Sequence, residues 1–154
     1  MGSTILVRNA RLRDIPALTA FNLAMAQETE NKILSAAEVK AGTSAVIRRP
    51  GHGFYLVAEL NGRIAGSLLI TREWSDWRDG VFWWIQSVYV PPKFRKRGIY
   101  RALYDAVKAR AKSNPEVCGF RLYVEKNNRA AMAVYSKLGM IETDYRIFEE
   151  TLFE

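Results

Sequence analysis

The chain has almost no cysteine and almost no histidine: Cys118 and His52 are the only ones among 154 residues. A single cysteine cannot close an internal disulfide, and this pair offers no zinc-knuckle spacing, so no metal is expected. A lone thiol suits a reducing compartment, and the cytoplasm is the expected location. Long apolar runs are missing too, none reaching the roughly 18 residues of a membrane span. The opening MGSTILVRNA lacks the basic, apolar and small-residue order of a signal peptide, and Leu6 stands where a myristoylation signal carries Ser or Thr. Export and membrane anchoring are therefore not expected. Neither GxxxxGK[ST] nor GxGxxG occurs, which excludes a Walker A loop and argues against a dinucleotide-binding Rossmann unit. No repeat, low-complexity tract or Pro/Gly/Ser-rich linker interrupts the chain, so one domain over residues 1–154 is expected. A Ser-His-Asp or Cys-His nucleophile would have to use His52, which lies between two glycines in a turn and reads as a surface residue. Cys118, before Gly119 at a strand start, reads as a small buried residue.

The chain does have the make-up of an ordinary globular protein, with 49% apolar, 12% aromatic and 25% charged residues. A domain of this length buries roughly 68 to 70% of its unfolded surface, enough for a core without staples. Lys and Arg number 23 against 16 acids, a net charge of +7. An anionic partner is implied: nucleic acid, an anionic membrane or a polyphosphate. Charge alone does not choose among these; its position along the chain does.

Ile5 to Asn9 reads as a strand, followed by a helix capped at Asp14 that carries Leu18, Phe21, Leu23 and Met25 and ends near Glu30. Ser35 with Glu38 is a capping-box pattern opening a second helix to about Arg49. Phe54 to Leu60 and Arg63 to Thr71 flank Asn61-Gly62, the residue pair of a type I′ hairpin. After a loop, Val81 to Val90 is rich in aromatic and β-branched residues and should be a central strand. Adjacent Trp83 and Trp84 must point to opposite faces of it, so helices should cover both sides of the sheet. A helix from Gly98 to Ser113, a strand from Phe120 to Val124, a helix from Asn128 to Leu138 with Gly139 at C′, and a last strand from Ile147 to Leu152 complete the series. This order specifies a mixed α/β sheet.

The densest cationic stretch is Lys93, Arg95, Lys96, Arg97 and Arg101, set between the end of the central strand and the first turn of a helix, with Gly98 inside it. On charge alone it reads as a solvated loop. Its strand-turn-helix setting makes it an anion site, because the first amides of a helix lack intrahelical acceptors and the dipole there is positive. No helix-turn-helix, zinc-finger or RRM pattern accompanies it, so nucleic acid is not the expected partner.

Arg95-Lys96-Arg97-Gly98-Ile99-Tyr100, after Ser87-Val88-Tyr89-Val90-Pro91, resembles the [QR]-x-x-G-x-[GA] cofactor loop of the GNAT superfamily of acyl-CoA-dependent N-acyltransferases. Tyr100 departs from the pattern, placing a phenol near the phosphates or acceptor while leaving its backbone amide. Downstream, Asn128 to Met140 resembles the family's N-x-x-A-x-x-x-Y-x-x-x-G-[FM] segment. The resemblance implies a mixed, mostly antiparallel sheet of about six or seven strands with about four helices. It implies an N-acetyltransferase that uses acetyl-CoA, or another short acyl-CoA, to acylate a primary amine by direct attack through a tetrahedral intermediate. It places Val88, Tyr89 and Val90 against pantetheine, the amides of Arg95, Lys96, Arg97, Gly98, Ile99, Tyr100 and Arg101 against the diphosphate, and Asn128 at the opposite wall. The acceptor would be a small-molecule or peptide amine, and the family's tendency to dimerise makes a homodimer an expected assembly.

Acyl transfer needs a neutral amine, a stabilised oxyanion and a proton for the departing thiolate. Tyr135, matching the family tyrosine, is the expected proton donor and a neighbour of the cofactor, although its helical periodicity also suits a core tyrosine. A backbone amide near Val88 is the oxyanion donor that the resemblance implies. The fourth strand carries Gln86 and Ser87 but no carboxylate, so the base must come from elsewhere. Glu28, Glu30, Glu73 and Asp76 are the acids best placed to reach an acceptor, with Glu73 first, and each also reads as an ordinary surface or turn charge. Trp84 and Gln86 join the expected acceptor-side residues, and Trp74, Trp77 and Trp84 read either as an aromatic wall or as packing residues. The missing fourth-strand carboxylate also admits a non-catalytic module that binds acyl-CoA without turnover.

Overall fold

The computed structural model describes residues 4–153, which divide into two compact units, one running to Tyr123 and the other starting at Val124. The first unit is built on β1 (Ile5–Asn9), β2 (Phe54–Leu60), β3 (Arg63–Ser75), β4 (Gly80–Tyr89) and β5 (Val117–Arg121), with helices α1 (Ile15–Glu30), α2 (Ala36–Arg48) and α3 (Ile99–Lys112). The strands lie in the order β1-β2-β3-β4-β5, antiparallel except for the parallel β4–β5 pair. The mixed, mostly antiparallel sheet with four helices is thus found, with five strands among the described residues. Residues 147–152 form no strand. Adjacent Ile147 and Phe148 would point to opposite faces, and Glu149-Glu150 breaks the alternation that would give one apolar side.

Local chemistry accounts for most boundaries. Asn61 and Gly62 both take positive φ, 53° and 76°, so the β2–β3 turn has the type I′ geometry that matches strand twist. Ser35 caps α2 by accepting from the Glu38 amide at 3.3 Å. Asp14 departs from expectation. Its carboxylate accepts no bond at the N-terminus of α1; it takes the Arg11 amide at 2.7 Å and Arg8 Nη1 at 2.7 Å. A buried carboxylate beside a guanidinium is better satisfied by that charge-assisted pair than by one helix amide. β3 runs past Thr71 to Ser75, which puts Glu73 and Trp74 on a strand. β5 starts before the expected Phe120 because Gly119 lies inside it: a Cβ there would stand 2.9 Å from Phe82 Cε1, an approach that only glycine permits.

Register assigns the faces. On one side Tyr55, Val57 and Leu69 pack with Leu18 of α1, and with Val46 and Ile47 of α2 at the margin. On the other, Leu56, Leu68 and Ile70 are fully buried along with Leu103 and Val107 of α3, which packs on β1, β2 and β3. Trp83 meets Phe54 edge-on at 5.3 Å on the α3 side, and Trp84 points the opposite way, as alternation requires.

The second unit contains α4 (Arg129–Lys137). Asn128 caps it by accepting from the Ala131 amide at 3.2 Å. At the other end Gly139 (φ 94°) allows Met140 N–H to reach Tyr135 O and Gly139 N–H to reach Ser136 O, each at 3.1 Å, a complete Schellman motif.

Candidate active site

β4 is ten residues long and β5 five, and their parallel pairing ends at Trp84↔Arg121. Beyond that point β4 continues through Ile85 to Tyr89 while β5 has ended, so the two strands part and one backbone edge of β4 is left without a strand beside it among the described residues. An unpaired edge next to a parting strand receives an extended ligand with amide groups.

A bulge sharpens this geometry. Ser67 pairs with Tyr89 and Leu69 with Gln86, so Ser87 and Val88 together oppose Leu68. Ser87 takes φ of 50°, a left-handed conformation that costs a serine about 1 kcal/mol. Strain of this kind collects at functional sites. The extra residue puts Gln86 and Tyr89, three positions apart, on the same face, the one that carries α1: Tyr89 packs against Phe21 with the rings tilted at 45° and their centroids 5.3 Å apart.

After β4, Pro91 and Pro92 turn the chain through a short 3-10 segment (Pro92–Phe94) into the basic loop. Arg95 donates its amide to Pro92 O, so an amide cradle begins at Lys96. Lys96 (φ 62°) and Gly98 (φ 80°) are both left-handed, and α3 begins at Ile99 with its first ladder bond from Ala102 N–H to Gly98 O. The amides before Ala102 therefore precede the ladder, and the left-handed to right-handed step at Gly98-Ile99 turns successive N–H groups into one concavity. The approach of β3 is just as tight, since a Cβ on Gly66 would stand 2.7 Å from Ile99 Cγ2. Tyr100 stacks back on Tyr104 one turn along α3, at 6.2 Å.

The expected acids fall into two groups. Glu73, on β3, accepts from Trp84 Nε1 at 3.0 Å and from Arg121 Nη1 at 2.7 Å. The Trp84 bond and the arginine hold its carboxyl below the usual carboxylate range, with burial opposing them. Around it stand Thr71, which accepts from Gln86 Nε2, and Tyr123, whose ring is 5.9 Å from Trp84. Arg121 lies 3.7 Å over the Phe82 ring. This cluster sits where β4 and β5 part. Glu28, in the last turn of α1, accepts from Tyr89 Oη and from Arg95 Nη2, each at 2.7 Å. Arg95 and Tyr89 together hold its carboxyl below the usual range. Glu30 pairs with Lys32 at 3.3 Å on an exposed surface, and Asp76 lies exposed in the β3–β4 turn, so neither joins these clusters.

Arg121 was not among the expected site residues. No local pattern in the sequence pointed to it: Arg121 stood second in the expected strand from Phe120, and it reaches Glu73 only through the pairing of β5 beside β4. Trp74 and Trp77 are 56% and 85% exposed at the β3–β4 hairpin. Cys118 is exposed, contrary to expectation, its side chain standing outside against Gly80. His52 is exposed as expected. In the second unit, burial pushes the Tyr135 phenol above its ordinary value. Among the described residues no group of His, Cys, Asp and Glu is arranged to hold a metal.

The sequence model of the acetyltransferase (GNAT) family matches residues 18–140. The structure is similar to that of a "possible acetyltransferase" from Clostridium difficile 630, at 37% identity over 97% of this chain and 99% of the other, with a TM-score of 0.90. It is similar in fold to a predicted acetyltransferase of Clostridium acetobutylicum solved with acetyl-CoA (21% identity, 96% of each chain, TM-score 0.76). The same holds for an aminoglycoside N-acetyltransferase in complex with CoA (20% identity, 99% of this chain and 98% of that one, TM-score 0.75). No curated protein matches the chain. A family match spanning the parting strands, the basic loop and the Asn128 segment makes this chain a member of the GNAT acetyltransferase family.

Proposed function

We propose that the chain is an N-acetyltransferase that moves an acetyl or other short acyl group from acyl-CoA to a primary amine, as one domain over residues 1–154. The observation that carries this reading is the parting of β4 from β5 beside a basic loop that enters α3 through left-handed Gly98. Acyl-CoA is a cosubstrate whose two ends make different demands. The amides from Lys96 to Arg101, with the side chains of Arg95, Lys96, Arg97 and Arg101, suit a diphosphate. The free edge at Val88, Tyr89 and Val90 suits the amides of pantetheine, and Asn128 is a further cofactor-binding residue in this reading. A bulge amide at Val88 directs an N–H toward developing oxyanion charge.

Glu73 serves the acceptor best as an anion. Two donors stabilise its charge, so it is a weak base, but a fixed carboxylate beside Trp84 and Gln86 draws and orients an ammonium head group. Glu28 extends the acceptor side beside Tyr89, whereas Glu30 and Asp76 stand outside both clusters. The amine then enters its neutral form from solution, and the pH dependence of kcat/KM should rise toward the amine's own pKa near 10. A limb near pH 6 to 7, the mark of an enzyme base, would contradict this. Tyr135 supplies the proton for the departing thiolate, and a phenol held protonated by burial is loaded for that step at every working pH.

The test is release of free CoA from acetyl-CoA in the presence of small amines, polyamines, amino acids and peptide N-termini. Turnover above the hydrolysis background with at least one class is the expected result. Saturable CoA binding with no turnover would favour a non-catalytic acyl-CoA-binding module instead. That second reading draws support from the two arginine-paired carboxylates and the absence of an acid on β4.

A further inference from the structure

Arg95 opens the cofactor loop, yet its side chain is directed to the acceptor-side helix. Nη2 donates to Glu28 Oε2 at 2.7 Å, Nε donates to the Val90 carbonyl at 2.8 Å, and the guanidinium lies 5.7 Å from the centre of the Tyr89 ring. Glu28 closes the triangle by accepting from Tyr89 Oη at 2.7 Å. One carboxylate in the last turn of α1 thus joins the end of the central strand to the first cation of the anion loop.

We propose that Glu28 is a positioning residue that competes with the cofactor diphosphate for Arg95, so that cofactor binding and the end of helix α1 are coupled. The proposal rests on the acyl-CoA reading above. Glu28 occupies Arg95 Nη2 and the Val90 carbonyl occupies Nε, so a diphosphate that binds the guanidinium through that edge displaces the carboxylate. Val90 makes the competition sharper, because the carbonyl that Arg95 Nε occupies belongs to the segment suited to pantetheine. When a diphosphate takes Arg95, Glu28 loses its cationic partner. The turn that it closes, held by Asn31 N–H to Gln27 O and Lys32 N–H to Ala26 O, loses its tether to the loop. The stretch between α1 and α2 beyond that turn carries exposed Ile33 and Leu34, so cofactor binding would free this segment to receive an acceptor.

The experiment is calorimetric titration of the full chain with CoA and with pantetheine, which lacks the diphosphate, for wild type, Glu28→Gln, Arg95→Gln and the double variant. The expected result is CoA binding about three- to fivefold tighter in Glu28→Gln, the worth of one exposed ion pair. Pantetheine binding should not change, and the gain should vanish in the Arg95→Gln background. A purely structural role for Glu28 predicts weaker binding instead. Unchanged or weaker CoA binding in Glu28→Gln, with normal wild-type binding, overturns the coupling and leaves the acyl-CoA reading standing. A gain that persists without Arg95, or that appears with pantetheine, also overturns it. A wild type that binds no CoA removes both. Hydrogen exchange gives an independent reading: CoA should speed exchange of the Asn31 and Lys32 amides, and unchanged or slower exchange contradicts the coupling.

Discussion

Glu73 and Glu28 differ from ordinary surface acids in the company they keep. Each accepts one hydrogen bond from an aromatic side chain and one from an arginine. Both stay ionised well below neutral pH, so neither contributes a proton-transfer limb between pH 6 and 8. Asp14 shows the same chemistry in a structural role. Burial at 2% exposure opposes its charge, but Arg8 and the Arg11 amide outweigh burial and hold its carboxyl below the ordinary value of 3.8. A depressed carboxyl stabilises the fold at pH above its unfolded value, and that stabilisation is lost as pH falls through the folded value. Asp14→Asn should therefore lower stability by about 3 kcal/mol at pH 7, because it leaves Arg8 half-paired. The gap to wild type should close below pH 3.8; thermal melts across pH 3 to 7 measure it, and a gap that is constant with pH contradicts the assignment. Tyr135→Phe should lower kcat about a hundredfold, the worth of one general acid, while CoA affinity stays within twofold. An unchanged kcat would remove Tyr135 from the chemistry.

The elements that matter are β4 and the turn into α3. Gly98 at φ 80° has open space around it, so an alanine there meets no steric clash and pays only the left-handed conformation, about 1 kcal/mol. Gly98→Ala should weaken CoA binding, measured by titration, more than it lowers the melting temperature, because the strain relaxes by swinging the amide cradle. Leu103→Ala, one turn into α3 and fully buried, should cost 2–5 kcal/mol by denaturant melting, and a loss below 1 kcal/mol would mean that α3 is not anchored as described. Much of this was legible in sequence, for local reasons. Asn61-Gly62 dictates its turn, Ser35 its cap, Gly139 its Schellman end, and Gly98 the entry from the basic loop into α3. What was not legible depends on partners distant in the chain. Arg121 reaches Glu73 only because β5 lies parallel to β4. Asp14 is a local exception: it turns from its helix toward Arg8, six residues earlier, because β1 presents that guanidinium to it. Glu28 meets Arg95 across 67 positions of sequence. The bulge at Ser87 left no mark, since neither Ser87 nor Val88 is a residue type that bulges require.

Across the whole molecule, the net charge of +7 is unevenly placed. Lys96 and Arg97 lie in the loop that precedes α3, Arg101 stands in the first turn of that helix paired with Asp105, and Arg95 is paired with Glu28. Elsewhere arginines hold carboxylates in place, as Arg8 does between Asp14 and Glu59 at 3.0 and 3.1 Å. No described helix is long and apolar enough to cross a membrane, and the residues assigned to chemistry are drawn from strand ends, a loop and helix ends. The central claim is that the loop of residues 95–101 receives the phosphates of acyl-CoA. Calorimetric titration with acetyl-CoA tests it most directly: a saturable one-to-one isotherm whose affinity falls as salt rises, weakened by Gly98→Ala, is the predicted result. A flat isotherm with no thermal shift at saturating acetyl-CoA would contradict it.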